Sequence, residues 1–387
     1  MVNIISNIKK WILVLTGLPV TAFAMAQTAT PELPADAKAT RQTIALHNNL
    51  KKLAAKGYMF GHQDDLVYGV HWRYEHGRSD VKELAGDYPA VYGWELGGLE
   101  AREEKNLDGV PFKKMRQFIQ EGYARGGVIT ISWHARSPLG APKGAWDTTH
   151  GTVASILPGA VNHKLYRSWL DELARFFLSL KGSRGEAIPV FFRPFHELTG
   201  NWFWWCRNAC TPEEFKVLWR FTQYYLREEK KVHNLLYVYN TSGDFKTKEE
   251  FLERYPGDDV VDLLSFDAYQ YDDPAKSDWF VNNINSQLGM ISEIAAEKNK
   301  LTALAETGYE QLPYTTWFTE ILAKAIGRHK ISYVMVWRNH GYNEGMKRMH
   351  YYTPYKGHAA EQDFIKFYQL ENTLFERDVA KEKLYGY

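Results

Sequence analysis

The chain has 387 residues, 45% hydrophobic and 24% charged, with a formal net charge of +1. That is the make-up of a globular protein of one large or two medium domains. So balanced a charge does not supply the basic field that nucleic acid or an anionic membrane surface requires, which excludes both as main partners.

The first residues carry Lys9 and Lys10, an apolar run from Trp11 to Ala24, and then Ala24-Met25-Ala26. This order predicts a signal peptide over residues 1–26, cleaved after Ala26, and a periplasmic or secreted product. The run is short for a membrane span and Gly17 and Pro19 interrupt it, so no stable membrane anchor is expected. Cleavage would shift the formal charge to −1, because the segment holds two Lys and no acid. Residues 27–38 are rich in Thr, Pro and Ala and read as a linker, leaving a single domain over 39–387. Export permits a disulfide, and the two cysteines, Cys206 and Cys210, are expected to bridge across a short loop.

Eight short apolar runs follow, at residues 58–64, 90–97, 127–135, 188–197, 235–241, 263–270, 301–308 and 331–339. They are nearly continuously apolar at their starts, as strands buried on both faces are. Amphipathic stretches lie between them. Residues 113–125 set Met115, Phe118, Ile119 and Tyr123 at helical spacing, and residues 165–180, 277–298 and 315–328 follow the same rule. Thr211-Pro212-Glu213-Glu214 reads as a helix start, with Thr as cap and Pro in the first turn. Strand and helix alternating eight times, with no Gly-rich loop after the first strand, predict an α/β fold of the (β/α)8 TIM-barrel type rather than an open doubly wound sheet.

Each strand begins apolar and ends in chemistry. The ends carry His62 and Asp64, Trp94 and Glu95, Trp133 and His134, His196 and Glu197, Asn240, Asp267 and Tyr269, Glu306, then Trp337 and Arg338. In a barrel these ends converge on one face, where active sites are built. Glu197 and Glu306 can then face each other over the mouth, the pair that glycoside hydrolysis needs, although the sequence leaves open whether the outcome is retention or inversion. Aromatics make up 15% of the chain, and a sugar ring has an apolar face for them to cover. Trp202 and Trp337 are candidates for that face, while Trp204 and Trp205 read as core. His134, His196, Asp267, Tyr269 and Arg338 can hydrogen-bond the hydroxyl edge. Two other readings compete. One is a non-catalytic carbohydrate-binding barrel. The other is a metal-dependent hydrolase built on His62, Asp64, His134 and His196. The first strand gives His-x-Asp rather than paired His, so neither metal nor cofactor is expected.

RPFHELTGNWFWW at 193–205, with AETG at 305–308 and VWRN at 336–339, resembles glycoside hydrolase family 26, the β-mannanases of clan A. GHQDD at 61–65 and SFDAY at 265–269 are similar to further segments of that family. The resemblance implies a TIM barrel and a retaining double displacement on β-mannan polysaccharide or manno-oligosaccharides by an endo-β-1,4-mannanase. It implies Glu197 as acid/base, Glu306 as nucleophile, His196 beside the scissile bond and Tyr269 on the nucleophile. His134, Trp202, Asp267, Trp337 and Arg338 correspond to substrate-binding positions, and Arg193, in the same motif, joins them. Relatives that cleave β-1,3-xylan or mixed-linkage β-glucan are the alternative within the family. The chain departs from the pattern at Leu198-Thr199 and at Cys206. Residues 136–162 form a long stretch rich in Gly and Pro, with Trp146 and His150. Such a segment could wall off part of the cleft and favour release of mannobiose. A monomer is expected.

Overall fold

Eight runs of buried, β-branched and aromatic residues give eight parallel strands: β1 (Tyr58–Gln63), β2 (Val91–Glu95), β3 (Val128–Trp133), β4 (Val190–Pro194), β5 (Leu235–Ser242), β6 (Leu263–Gln270), β7 (Leu301–Tyr309) and β8 (Tyr333–Val336). Each pairs with the next, and β8 returns to β1 through Met59–Tyr333 to His62–Val336, closing the barrel. The computed structural model describes residues 32–140 and 144–386. The expected signal peptide and residues 27–31 of the linker lie outside them. Among the described residues no helix is long and apolar enough to cross a membrane.

The amphipathic stretches form helices close to their expected bounds: Phe112–Ala124, His163–Ser179, Pro212–Tyr224 and Trp279–Lys298. Thr211 Oγ1 accepts the Glu214 backbone N–H, and the Glu214 carboxylate accepts that of Thr211, a reciprocal cap worth about 1 kcal/mol. Over 315–328 the chain instead makes a π-type turn, Trp317–Leu322, before a short α-helix, Ala323–Ile326.

One irregularity in the sheet positions the site. Along β6 and β7, Phe266 faces Leu304, but Asp267 faces Glu306, so Ala305 is an extra residue in β7. This bulge turns Glu306 and Asp267 into cross-strand neighbours at the C-terminal rim.

Two expectations are corrected. Part of the expected linker belongs to the barrel unit, which starts at Glu32. Ala35 N–H donates to Asp262 Oδ1 at 2.7 Å, and Asp36 pairs with His233 at 2.7 Å. The two cysteines are free rather than bridged. They sit four residues apart in the turn before the Pro212–Tyr224 helix, and each thiol is aimed at a carbonyl: Cys206 at that of Glu197 (3.3 Å) and Cys210 at that of Trp205 (3.4 Å). Burial pushes their pKa values up, to about 12 and about 11, which suppresses the reactive thiolate. The native chain is therefore expected to resist a thiol reagent such as Ellman's. In guanidinium it should release two equivalents of chromophore, with or without prior reduction. A non-reduced chain that yields none when unfolded would restore the bridge.

Candidate active site

The strand expected over 188–197 ends at Pro194, and the residues after it form a tight turn. Phe195 and Glu197 both take the left-handed conformation, with φ of 56° and 53°. Each costs about 1–3 kcal/mol for a residue with a Cβ, so surrounding contacts must enforce it. They do. The Phe195 ring packs among Trp133, Trp204, Trp205 and Phe215. Trp204 and Trp205 are fully buried, as expected for core, and their indole N–H groups donate to the carbonyls of Ala135 and His196. The Glu197 carbonyl accepts from Gly200 N–H (2.8 Å), Ser242 Oγ (3.3 Å) and the Cys206 thiol.

This turn aims the Glu197 carboxyl at Glu306. One oxygen from each of Glu197, Asp267 and Glu306 lies within 4.8 Å of the other two. Burial and the adjacent Glu306 charge push the Glu197 pKa up to about 7. Trp202 Nε1 donates to Glu197 Oε2 at 2.5 Å. Glu306 is held from two sides: Arg193 Nη2 donates to one oxygen and the Tyr269 hydroxyl donates to the other at 2.9 Å. The second guanidinium nitrogen of Arg193 reaches Asp267 at 3.2 Å and Asn240 at 3.3 Å.

Three of the residues expected to bind substrate also make charged or polar contacts with the protein. Arg193 is 1% exposed, and the Asp267 side chain is 0% exposed. Together they form the charged floor on which Glu306 stands. His134 faces Glu95 at 2.8 Å and His196 at 3.1 Å through its two ring nitrogens. Arg193 and Asp267 lie on strands with fully buried side chains, where a charge survives only with a partner. Trp202 is 38% exposed, and Trp337 is half-buried. Arg338 stacks near Trp337 and pairs with Asp108. Asn339 anchors this last strand end through Asp80 at 2.8 Å and the backbone of Tyr352 and Thr353 at 2.9 Å.

Trp146, from the long segment after β3, stands at the mouth, 48% exposed, stacked near His134 and edge-on to Phe203. With Trp202 it extends the aromatic wall. Its place among Gly and Pro, without periodicity, concealed its target. Asp108 was likewise missed, since nothing in the loop before the Phe112–Ala124 helix signals a partner for Arg338.

The four residues of the metal reading do not form one group: His134 and His196 meet, but His62 and Asp64 are engaged elsewhere. His62 pairs with Asp65 at 2.8 Å and Asp64 accepts from Tyr68. Among the described residues the one group of potential ligands that does converge is Glu197, Asp267 and Glu306, and Arg193 already supplies a cation to two of these.

A (β/α)8 barrel with two close carboxyls at its C-terminal rim, one with its pKa raised toward neutrality and bonded by the exposed Trp202 indole, is the arrangement of a glycoside hydrolase. The chain belongs to glycosyl hydrolase family 26, whose sequence pattern matches residues 35–353. A GH26 beta-mannanase from Bacteroides ovatus superposes with a TM-score of 0.83 at 43% identity, covering 88% of this chain and 96% of its own. The catalytic domain of an endo-beta-1,4-mannanase from Bacillus sp. JAMB-750 gives 0.83 at 30% identity, covering 92% and 97%. A mannan endo-1,4-beta-mannosidase of Bifidobacterium adolescentis is 34% identical over 86% of this chain. The chain spans 34%, 51% and 58% of the lengths of the first three curated relatives it matches.

Proposed function

We propose that the chain is a retaining endo-β-1,4-mannanase acting on mannan, galactomannan or glucomannan. The observation that carries the mechanism is the approach of Glu197 and Glu306, with carboxylate oxygens within 4.8 Å. Retaining enzymes hold their carboxyls about 5–5.5 Å apart, whereas inverting ones leave about 6.5–9.5 Å for a water. The substrate class is supported by the relatives and solved structures similar to the chain, which are mannanases by name.

In this reading Glu306 attacks the anomeric carbon and forms a covalent glycosyl-enzyme. Glu197 gives its proton to the departing oxygen. Water then enters, Glu197 takes its proton, and the Glu306 ester is cleaved. Each displacement inverts the anomeric centre, so the net result is retention. Arg193, Asp267 and Tyr269 position Glu306. Trp202, Trp337 and Trp146 cover sugar faces, while His196 and Arg338 address hydroxyls. Trp146 narrows one side of the cleft, which favours short products such as mannobiose. Residues 1–26 act as the signal that exports the enzyme.

Mannopentaose followed by proton NMR tests this reading. The first product is expected as the β anomer, with mannobiose accumulating early. An initial α anomer would contradict retention, and an even spread of oligomers would contradict preferential mannobiose release. A chain inert on mannan but active on β-1,3-xylan or mixed-linkage β-glucan would remove the substrate assignment.

A further inference from the structure

Glu95 ends β2 with its side chain fully buried. Its Oε1 accepts the backbone N–H of Gly97 at 2.5 Å and of His134 at 2.7 Å. Its Oε2 accepts Ser132 Oγ at 2.5 Å and faces His134 Nδ1 at 2.8 Å. Four donors on two oxygens suit a carboxylate and leave no place for an acidic proton. A buried carboxylate requires a cation, and the only titratable side chain hydrogen-bonded to this one, among the described residues, is His134. Beyond that ring, His134 Nε2 lies 3.1 Å from His196 Nε2. Two imidazole nitrogens at hydrogen-bond distance hold one proton between them, so one ring donates and the other accepts. Trp146 stacks near the His134 ring, with centroids 5.3 Å apart and planes 16° from parallel, where an indole favours a cation.

We propose that Glu95 is a positioning residue that fixes His134 as an imidazolium, and that this charge both sets the tautomer of His196 and acts on the Glu197 carboxyl. His134 donates from Nδ1 to Glu95 and from Nε2 to His196. His196 is then neutral, accepts at Nε2 and carries its proton on Nδ1. That Nδ1–H is buried without a protein partner among the described residues, and is the one nitrogen of the pair left for a bound ligand. The surrounding charges agree with this assignment. Burial opposes a charge on His134, but Glu95, Glu306 and Asp108 outweigh it and raise its pKa. Burial lowers the His196 pKa well below the usual value, and the neighbouring His134 and Arg193 charges lower it further. Glu197 feels burial and Glu306 pushing its pKa up, with His134 and Arg193 opposing them. The effect on Glu197 rests on its reading as the general acid, whereas the protonation state of the two rings does not.

Long-range proton–nitrogen correlation NMR of the whole chain labelled at histidine tests the protonation state without any substrate. At about pH 7, where a free imidazole is mostly neutral, His134 should show both nitrogens protonated and His196 only Nδ1. A neutral His134, or a His196 protonated on Nε2, would overturn the proposal even if the chain proved an excellent mannanase. Glu95→Gln then tests the consequence. Its amide can donate to His134 Nδ1, so His134 should become neutral while His196 keeps its tautomer. Loss of the cation raises the Glu197 pKa, and the alkaline limb of kcat/KM should move up by about half a pH unit. A limb that stays in place while His134 turns neutral would remove the action on Glu197. If the variant does not fold, the spectra of the unaltered chain still decide the first point.

Discussion

Glu306→Gln is expected to lower kcat on manno-oligosaccharides by about 10⁵-fold, close to 7 kcal/mol of transition-state stabilisation. The amide keeps the shape of the carboxylate and one acceptor for Arg193, so the floor of the site survives. What is lost is the nucleophile, and with it the covalent intermediate. The KM for mannopentaose should change little, because Trp202, Trp337 and Arg338 are untouched. Glutamine is the informative replacement, since alanine would also leave Arg193 and Asp267 with a broken network at 1% and 0% side-chain exposure. Breaking a buried ion pair is itself strongly destabilising. Kinetics on mannopentaose, with circular dichroism to verify folding, measure the effect. A folded variant that retains a tenth of the activity would exclude Glu306 as nucleophile and revive a role in binding alone.

Glu197→Ala should produce a different pattern. General acid catalysis is worth about 10²–10⁴-fold, and it matters in proportion to how poorly the leaving group departs. Hydrolysis of mannan should therefore fall through that range, whereas an activated aryl mannobioside should still form the glycosyl-enzyme. Water then lacks its general base, so the intermediate should accumulate, and azide should rescue turnover as a β-glycosyl azide. An α-azide product, or no rescue, would contradict the double displacement. The pH dependence follows from the same group. The unaltered enzyme needs Glu197 protonated, and its pKa is raised to about 7, so kcat/KM should hold below that value and fall as pH rises through it. In Glu197→Ala that alkaline limb should vanish for the activated substrate. Persistence of the limb would assign it to another residue.

Both experiments concern residues that were legible early, and the reason is local. Apolar runs followed by polar ends mark strands that enter a core and emerge at a rim. Helical periodicity between them marks the outer layer, and Thr211-Pro212-Glu213-Glu214 marks a helix start through bonds made within one turn. Alternation of the two fixes a barrel, and the barrel brings all eight strand ends to one face. Glu197 and Glu306 could be paired from that topology alone.

Their neighbours could not be sorted in the same way. Arg193, His134 and Asp267 sit at strand ends with the same outward signature as Trp337 or Tyr269, yet they serve the charges beneath the cleft. Which way each one works depends on what faces it across the barrel: Glu306 and Asp267 for Arg193, Glu95 for His134. The two cysteines illustrate the same limit, because their separation along the chain allows a bridge, whereas each thiol is directed at a different backbone carbonyl, of Glu197 and of Trp205.

Sequence by itself thus determined the strand and helix order, the rim where the candidate site lies and the two carboxyls proposed for the reaction. Only the tertiary structure decided the extra residue at Ala305 that sets Glu306 beside Asp267, and the left-handed turn through Phe195 and Glu197 that aims the acid. Neither is favoured by local propensity. The turn is held partly by Trp133 and Ser242 from the two neighbouring strands, so its backbone cost is met only once the barrel has closed.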